Sequence, residues 1–407
     1  MTPTAPWRRT NRLHAGRTQL LFTLTGLGLG LALPRVSVGP QLAARQVTDM
    51  LLGLGFGVLG VSGIIFSLLF LVVQWAHTTF TPRLTLFRQE PVVWRTFAFA
   101  LALAVFCITA ALTIGTRPSV SVSVPVLAGI LLLILLTLLR SLQMHAFASI
   151  QIAPVLHEVT ARGRAILEPL RPQEPESGPS PTKATVLPPL TSAVTWPASM
   201  TVLQQVDGER LLEAAQEANA VVVLHTIPGT TVHRGTRVAD VHGGQLAPPA
   251  VLDALVTGVE RTFEQDPLLA FQLLADIALR ALSPAVNDPA SAVHALDCLQ
   301  DLLSAPGPGR ETAGWLRITD PEGVVRVLMR LPDGEAFLRT SLDDIIAAAN
   351  SPAVLLRLRG VLQYLRAGHT FRDEALTRRL AWVESELAER FPVVWSETVT
   401  GPGREAS

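Results

Sequence analysis

Residues 50–82 read MLLGLGFGVLGVSGIIFSLLFLVVQWAHTTFTP, a stretch without a single charged side chain. The hydrocarbon core of a bilayer is about 30 Å thick, and a helix needs roughly 20 apolar residues to cross it. This stretch exceeds that requirement. It therefore predicts a helix that spans a membrane, and it sets the fold class of the N-terminal third of the chain.

Three further uncharged stretches surround it, at 18–34, 96–116 and 118–139. The last two are long enough to cross a bilayer, whereas the first is at the lower limit of length. The first stretch also follows a basic segment, as in a signal peptide, but no small-x-small cleavage site follows it, so we expect it to remain as a span. These stretches predict an α-helical transmembrane bundle over residues 18–142, with about four spans at 18–34, 51–75, 96–115 and 121–142.

The distribution of arginine predicts how the bundle is oriented. Cytoplasmic loops carry an excess of Lys and Arg close to the ends of the spans. One side of the predicted bundle has eleven arginines: Arg8, Arg9, Arg12, Arg17, Arg83, Arg88, Arg95, Arg140, Arg162, Arg164 and Arg171. The other side has three: Arg35, Arg45 and Arg117. We therefore expect a multi-pass protein of the bacterial inner membrane with both termini in the cytoplasm.

Four glycines recur along the second predicted span, Gly53, Gly57, Gly60 and Gly63, at spacings of three and four residues. Small residues on one face of a helix let two backbones approach closely within a membrane. Packing inside the bundle is the simpler interpretation, and self-association or a moving helix is the alternative. The predicted spans carry no Asp, Glu, Lys or Arg near their centres, which disfavours a pump or proton-coupled transporter but not a passive pore.

The composition excludes several classes of function. The formal net charge is zero, so we expect no nucleic-acid partner. Lys183 is the only lysine, and it lies in a Pro/Ser-rich segment, which excludes a phosphate-binding P-loop, a Schiff-base enzyme and a protein kinase. The two cysteines, Cys107 and Cys298, fall in different regions and do not predict a disulfide framework.

The remainder of the chain predicts a soluble, cytoplasmic α+β domain behind the membrane region. Residues 143–195 should form a juxtamembrane helix, broken near Pro154, and then a Pro/Ser-rich linker. Residues 196–247 should form a small β-rich module, with a helix at 208–218 capped by Asp207. Residues 248–392 should be mainly helical, with a hairpin at 314–331. Residues 393–407 should be a flexible tail.

The β module contains the segment PGTTVHRGTRVADV at 228–241, in which short strands alternate with glycine turns. It resembles the sandwich domains that carry biotin or lipoate, but the lysine that they modify is missing. His225, His233 and His242 could hold a metal ion. Histidines in such a module are more often surface or turn residues, so we predict no metal and no cofactor.

The best candidate for a polar site lies between two helices of the soluble domain. Residues 268–282 are apolar except for one stripe formed by Gln272, Asp276 and Arg280. Asp266–Pro267 and Asp288–Pro289 each combine an acidic cap with a proline at the first helical position, a strong helix-start signal. The loop between the helices is either a structural corner or a small pocket for an anion or metal, built by Asp276, Arg280, Ser283, Asn287, Asp288 and Asp297.

Several segments resemble the bacterial predicted membrane proteins catalogued as domain of unknown function 2254. The resemblance rests on VSGIIFSLLFLVVQWAHTTFTPRL (61–84), on PGTTVHRGTRVADV and, above all, on EQDPLLAFQLLADIALRALSPAVNDPASAVHALDCL (264–299). The most specific part is the LSPxxNDP core at 282–289, where Ala285–Val286 replaces the expected Gly–Ile. The resemblance implies a membrane protein with a soluble C-terminal domain, and it implies no particular activity.

Three functions remain open from the sequence. We favour a non-enzymatic membrane protein, since the sequence has no recognisable catalytic constellation, whose cytoplasmic domain senses, scaffolds or assembles as a homo-oligomer. The alternative is an oligomeric channel or small-solute transporter. An enzyme that uses the polar site at 276–297 is the third, because acid–base chemistry needs titratable groups in a cleft. No catalytic residue is assigned, and the ligand is unknown.

Overall fold

The computed structural model describes residues 15–36, 39–79, 91–115, 117–148, 151–170, 187–305, 315–369 and 371–400. These residues form two compact units that divide between Val155 and Leu156. The predicted N-terminal segment 1–17 and the Pro/Ser-rich linker lie largely outside the described residues.

Four helices build the first unit. They are α1 (Ala15–Ala32), α2 (Ala44–Thr79), α3 (Pro91–Ile114) and α4 (Ser123–Ala148). Helix α3 is central, because it contacts α1, α2 and α4, and its Leu103, Phe106 and Cys107 are buried. Two short strands, β1 (Gln41–Ala43) and β2 (Ser119–Ser121), pair antiparallel and join the loop after α1 to the loop after α3.

Three of the four predicted spans are confirmed as helices of sufficient length and apolarity. Within the described part of the chain, the segments that qualify are Ala44–Leu68, Val92–Ile114 and Ser123–Met144. Helix α1 covers the remaining predicted span, 18–34, but does not qualify, because Arg17, Thr18 and Gln19 occupy its first turns and shorten its apolar part. The coarser statement, an apolar helical region followed by a mixed α/β region, therefore holds.

The second unit begins within α5 (Ile152–Leu167), at Leu156, and continues into two sheets. The strands are β3 (Leu190–Thr195), β4 (Thr201–Val206), β5 (Ala220–Leu224), β6 (Thr231–Val232), β7 (Arg237–Gly243), β8 (Leu255–Gly258), β9 (Trp315–Thr319) and β10 (Val325–Arg330). One sheet has the order β3-β7-β5-β10-β9, in which only β5 and β10 are parallel, and the other has the order β6-β4-β8. Their shared core also takes in α6 (Gly208–Glu217) and α7 (Pro248–Leu252).

Short-range sequence signals correctly predicted the positions of several of these elements. Strand β4 occupies the predicted residues, and Asp207 caps α6 by accepting a hydrogen bond from the Arg210 N–H. The predicted hairpin at 314–331 is present as β9 and β10, with Gly323 at φ +83° in its turn.

Long-range pairing changes the predicted boundaries of the β module. Strand β3 lies within the segment predicted as a linker, and β10 adds the hairpin to the same sheet through β5. Residues 255–258 were expected to be helical, but they form β8, because this β-branched run pairs with β4. The module is therefore larger than 196–247, and it is closed by a strand pair that is distant in sequence.

The helical part consists of α8 (Leu269–Leu282), α9 (Pro289–Leu303), α10 (Gly334–Leu338), α11 (Asp344–Ala348), α12 (Pro352–Ala367), α13 (Asp373–Arg390) and α14 (Pro392–Thr400). A π-helical turn, Arg339–Asp343, joins α10 to α11. Helix α8 packs on α9, α9 on α12, and α12 on α13. The flexible tail predicted from residue 393 is wrong as far as residue 400, because Pro392 starts a helix whose Trp395 ring lies 5.4 Å from the Arg359 guanidinium.

The juxtamembrane prediction needs one correction. Helix α4 ends at Ala148 and α5 begins at Ile152, so the break precedes Pro154. Pro154 lies in the first turn of α5, where a proline costs no intrahelical hydrogen bond.

Candidate functional site

The loop between α8 and α9 is a tight, hydrogen-bonded corner. Both the N–H and the hydroxyl of Ser283 donate to the Arg280 carbonyl, at 3.1 and 2.6 Å. The Asn287 N–H donates to the Ser283 carbonyl at 2.9 Å, and Asn287 adopts the left-handed region with φ +47°. Asn tolerates that conformation better than most residues. The backbone of the corner is therefore satisfied by its own groups.

Asp288 caps α9, as its position before Pro289 predicts. Its carboxylate accepts hydrogen bonds from the Ser291 N–H, at 3.1 Å, and from the Ser291 hydroxyl. These two bonds from Ser291 hold the pKa of Asp288 below its usual value, although burial opposes them. The carboxylate stays ionised at neutral pH and serves the helix start.

The corner does not include all six predicted site residues. Asp297 lies nine residues into α9, about 13 Å along the helix from Asp288. It pairs instead with Arg357 of α12, at 2.5 Å from the Nε atom. Asp276 and Arg280 are partly buried on α8, and both have polar partners. The structure thus brings Ser283, Asn287 and Asp288 together and places Asp297 in a different contact.

A second polar cluster was not anticipated as a site, and it surrounds Asp266. The Asp266 side chain is only 1% exposed and pairs with Arg261, whose Nε and Nη2 donate at 2.6 and 2.8 Å. Arg261 also donates to the Gln272 side chain, and the Leu268 N–H donates to Asp266. Asp266 was predicted to cap a helix that starts at Pro267, but α8 starts only at Leu269 with Leu268 as its N-cap, and the Asp266 carboxylate is bound by the Arg261 guanidinium instead.

This cluster joins the helical part to the β module. A Cβ atom at Gly229 would lie 2.2 Å from an Asp266 carboxylate oxygen, and Gly229 has φ +94°, so only glycine fits there. The side-chain amide of Gln265 binds the Val206 backbone N–H and carbonyl at 2.7 and 3.1 Å. The PGTT turn and the EQDP segment, two pieces of the family resemblance, are therefore complementary parts of one joint.

The three predicted histidines are dispersed. His225 Nε2 lies 2.9 Å from Asp240, which Arg237 also binds through two contacts of 2.5 and 2.6 Å. His242 Nδ1 lies 2.9 Å from the Pro188 carbonyl, and His233 is exposed. Burial acts most strongly on Asp240 and raises its pKa, but the bonds from Arg237 and His225 outweigh it and lower the pKa. The described residues contain no group of three His, Cys, Asp or Glu side chains placed to hold a metal ion.

A third closed cluster surrounds Arg379 of α13. This side chain is 6% exposed, and its guanidinium binds Glu335 and Asp343 through four hydrogen bonds of 2.6–3.2 Å. The π-helical turn supplies Asp343, and Glu335 lies in the first turn of α10. Burial favours loss of the Arg379 charge, but the two carboxylates raise its pKa. The sequence signal was a single arginine on an amphipathic helix, too common to identify the cluster.

These clusters determine what chemistry the domain can offer. Every resolved pKa shift of a described carboxylate is downward, at Asp240, Asp288, Asp320 and Glu335. A general base or acid at neutral pH needs the opposite, a carboxylate whose pKa is raised towards 7. These side chains hold the fold together and are poorly tuned for proton transfer.

In the first unit, the structure separates two kinds of glycine. A Cβ atom added to Gly53, Gly57, Gly60 or Gly63 would meet nothing within 4 Å, and all four lie on the exposed face of α2. Gly55 of the same helix does pack inward, with the Cys107 Cβ at 3.2 Å from its ideal Cβ position. The four predicted glycines therefore make no close packing contact with the part of the chain that the structure describes.

The closest helix approach in this unit uses glycines that the sequence analysis overlooked. An added Cβ at Gly26 would lie 2.3 Å from the Ala102 carbonyl oxygen, and one at Gly30 would lie 1.8 Å from the Thr109 hydroxyl. Gly26 and Gly30 form a small-xxx-small pair on α1, which is the sequence signal that could have found them.

Comparisons with a family model and with curated proteins agree with each other. A model of the family described as "Predicted membrane protein (DUF2254)" matches residues 17–364. Similar sequences include the uncharacterized proteins Mb1321c of Mycobacterium bovis and Rv1290c of Mycobacterium tuberculosis. Each is 31% identical over 265 residues, which cover 60% of this chain and 50% of the relative. The chain thus spans about half the length of these curated relatives, and no solved structure matches it.

Proposed function

The chain belongs to the DUF2254 family of predicted membrane proteins, and from this premise we propose that it is a non-enzymatic assembly protein of the bacterial inner membrane. In this proposal it has four spans and both termini in the cytoplasm. Its cytoplasmic domain acts as a scaffold or sensor within a homo-oligomer. The bilayer is its first partner, and a second copy of the chain is its next.

The packing of α1 supports a fourth span. Gly26 and Gly30 bring the α1 backbone against Ala102 and Thr109 of α3, with no room for a side chain between them. Such close contact is the main way in which helices associate where lipid removes the hydrophobic driving force. The arginine asymmetry supports cytoplasmic termini, since Arg95 and Arg140 lie at one set of helix ends and Arg35, Arg45 and Arg117 near the other.

The observation that carries the assembly role is the open glycine face of α2. Gly53, Gly57, Gly60 and Gly63 leave a strip without side chains, and large apolar side chains flank it, with Phe56 61% and Ile64 63% exposed. A strip of this shape admits the backbone of another helix at short distance. Because no helix of the described chain fills it, we assign it to α2 of a second copy.

The closed polar clusters support the absence of enzymatic activity. Asp266, Asp288 and Arg379 are each bound by side-chain or backbone partners within the fold. Removing such groups would change stability before it changed any chemistry.

The proposal is tested by the mass of the full-length protein in detergent and in nanodiscs. We expect wild type to be an oligomer, and the double variant Gly57→Leu/Gly60→Leu to need at least about tenfold more protein to associate, since one lost interface contact of 1–2 kcal/mol has roughly that effect. The matched control is Gly28→Leu/Gly129→Leu, because both of these glycines also face open space.

Two results would contradict the proposal. One is a wild-type protein that stays monomeric at every concentration and in every lipid. The other is equal loss of association in the control variant, which would show that any leucine on an open face interferes.

An oligomeric channel is the second candidate, and the same glycine face favours it. Uncharged spans enclose a pore only when several copies surround it, so the assembly variant would also lose conduction. Ion flux into vesicles that contain wild type but not Gly57→Leu/Gly60→Leu would support the channel, and absence of flux for several ions would remove it.

A further inference from the structure

The five-stranded sheet of the second unit has two unlike faces. On one face, Val222, Val327 and Ile318 belong to the core that this sheet shares with the second sheet and with α6. Side chains alternate along a strand, so the residues between these belong to the opposite face, here called the outer face. The outer face has a small, separate apolar centre that consists of Val221, Val223 and Leu328.

Basic side chains lie beside this centre on the two neighbouring strands β9 and β10. Arg317 is the cross-strand partner of Leu328, and Arg330 is the partner of Trp315, which places all three polar or aromatic side chains on the outer face. Both arginines are exposed, and Trp315 is 43% exposed. Neither Arg317 nor Arg330 forms an ion pair within the part of the chain that the structure describes.

The other side of the outer face also carries positive charge. Asp240 of β7 is the cross-strand partner of Val223 and therefore lies on this face, where its carboxylate binds the guanidinium of the half-exposed Arg237. Asp240 is the only acidic residue in the five strands, whereas the strands contain four arginines. One of these, Arg326, is neutralised by Asp320 just beyond β9. Although the net charge of the whole chain is zero, this sheet is basic.

A bilayer surface that contains anionic lipid is the partner that fits these properties best. Arginines near such a surface are attracted to it, and an exposed tryptophan is typical of the membrane–water interface. The chain belongs to a family of predicted membrane proteins, and Leu156, where the second unit begins, closely follows Met144, where the last bilayer-length apolar segment ends. A short tether of this kind gives the unit a high effective concentration at a membrane.

Single-stranded nucleic acid is a poorer match to the same face. Proteins that bind it stack successive bases on several aromatic side chains. Trp315 is the only aromatic residue in the five strands. The charge of the face therefore suits a phosphate-bearing surface, while its side chains do not supply a row of stacking platforms.

We propose that the outer face is a membrane contact outside the apolar helices, at which Arg317 and Arg330 bind the phosphates of anionic phospholipid and Trp315 lies in the interfacial layer. A guanidinium can donate two parallel hydrogen bonds to one phosphate, which favours arginine for this role. The contact is electrostatic, so it requires anionic lipid and weakens as salt is added. It depends neither on assembly nor on the number of spans.

The test is modification of arginines by phenylglyoxal in the full-length protein, in nanodiscs of phosphatidylcholine and in nanodiscs of phosphatidylglycerol. One arginine near an anionic surface strengthens binding about fivefold, so Arg317 and Arg330 should react at least about threefold more slowly in phosphatidylglycerol. Arg372, which is exposed just before α13, should react equally in both lipids. In about 1 M salt, where the Debye length is about 3 Å, the protection should disappear.

A double variant shows whether these arginines cause the contact. Hydrogen exchange of β9 should slow by at least about twofold in phosphatidylglycerol for wild type, and it should not change for Arg317→Gln/Arg330→Gln. The matched control, Arg372→Gln/Arg378→Gln, removes two exposed arginines at α13 and should respond to anionic lipid as wild type does.

Three outcomes would overturn the proposal. The first is equal reactivity of Arg317 and Arg330 in both lipids. The second is a β9 response to anionic lipid that survives in Arg317→Gln/Arg330→Gln. The third comes from single-stranded RNA added to the phosphatidylcholine nanodiscs: protection of the two arginines by RNA but not by phosphatidylglycerol would assign the outer face to nucleic acid.

Discussion

At the scale of single residues, acidic side chains before helices were the most informative signals. Asp207 and Asp288 cap their helices as predicted, because a carboxylate beside free N–H groups needs no tertiary partner. Asp266 has the same Asp–Pro context, yet Arg261 and the approach of Gly229 determine its role. The local signal is reliable only where no other cation competes for the carboxylate.

The role of Asp288 as the N-cap of α9 predicts the effect of Asp288→Ala. Loss of the two Ser291 bonds should lower the free energy of unfolding by about 1 kcal/mol at pH 7. Because the folded-state pKa of Asp288 is lowered, this stabilisation is present above the unfolded pKa of about 4 and is lost as pH falls through the folded value. Guanidinium unfolding of both proteins at neutral and acidic pH measures the difference.

The control is Asp297→Ala, whose side chain is half exposed and pairs with Arg357. An exposed ion pair contributes at most about 1 kcal/mol and often much less, so this variant should remain close to wild type. A difference between Asp288→Ala and wild type that stays constant down to pH 2 would contradict the cap.

At the scale of elements, helices were predictable and the edges of sheets were not. The long apolar stretches gave α2, α3 and α4 to within a few residues at most ends, because hydrophobic length is a property of the segment itself. Strands β3 and β8 were assigned to a linker and a helix, since each is short and acquires its hydrogen bonds from β7 and β4. The outward glycines of α2 and the inward glycines of α1 look alike in sequence.

The contact between α1 and α3 predicts a position-specific effect within one helix. Gly26→Leu or Gly30→Leu should destabilise the protein by about 1–3 kcal/mol or more, because the new side chain would overlap Ala102 or Thr109. Gly28→Leu, between them, should have little effect, since its Cβ meets nothing. Thermal unfolding in one detergent compares the three, and equal midpoints would refute this contact.

At the scale of the whole molecule, the division between the two units lies inside the segment 143–195, which the sequence assigns to a juxtamembrane helix and a linker. The division falls between Val155 and Leu156, so α5 belongs largely with the soluble elements. The β module is likewise completed by β10, more than a hundred residues after β5 begins. The second unit is therefore assembled from segments that the predicted domain boundaries separate.

This boundary predicts which fragment folds without the membrane helices. Residues 151–400 should be soluble and unfold cooperatively, whereas residues 187–400, which lack α5, should expose the seam lined by Ala270 and Leu302. Size-exclusion chromatography and binding of a hydrophobic dye should show aggregation of the shorter fragment only. If the shorter fragment unfolds as cooperatively as the longer one, α5 is dispensable for the core.

Many residues of the candidate site could be predicted from the sequence, but whether they form an open pocket or a closed corner could not. The sequence indicated the corner, the cap at Asp288 and the turn at Asn287, because each follows from the chain within a few residues. It could not assign Asp297 to Arg357 or Asp343 to Arg379, since these partners are tens of residues apart. The choice between an open pocket and a closed corner depends on such distant partners.

By itself, the sequence determined where the apolar helices of this protein lie: three uncharged stretches are apolar and long enough to cross a bilayer, and most charged side chains lie in the remainder. That follows because transfer between lipid and water depends on side-chain composition and segment length. Only the tertiary structure decided which glycines touch, which carboxylates are neutralised and where the soluble unit begins. Those outcomes depend on the approach of atoms from segments that are remote in the chain.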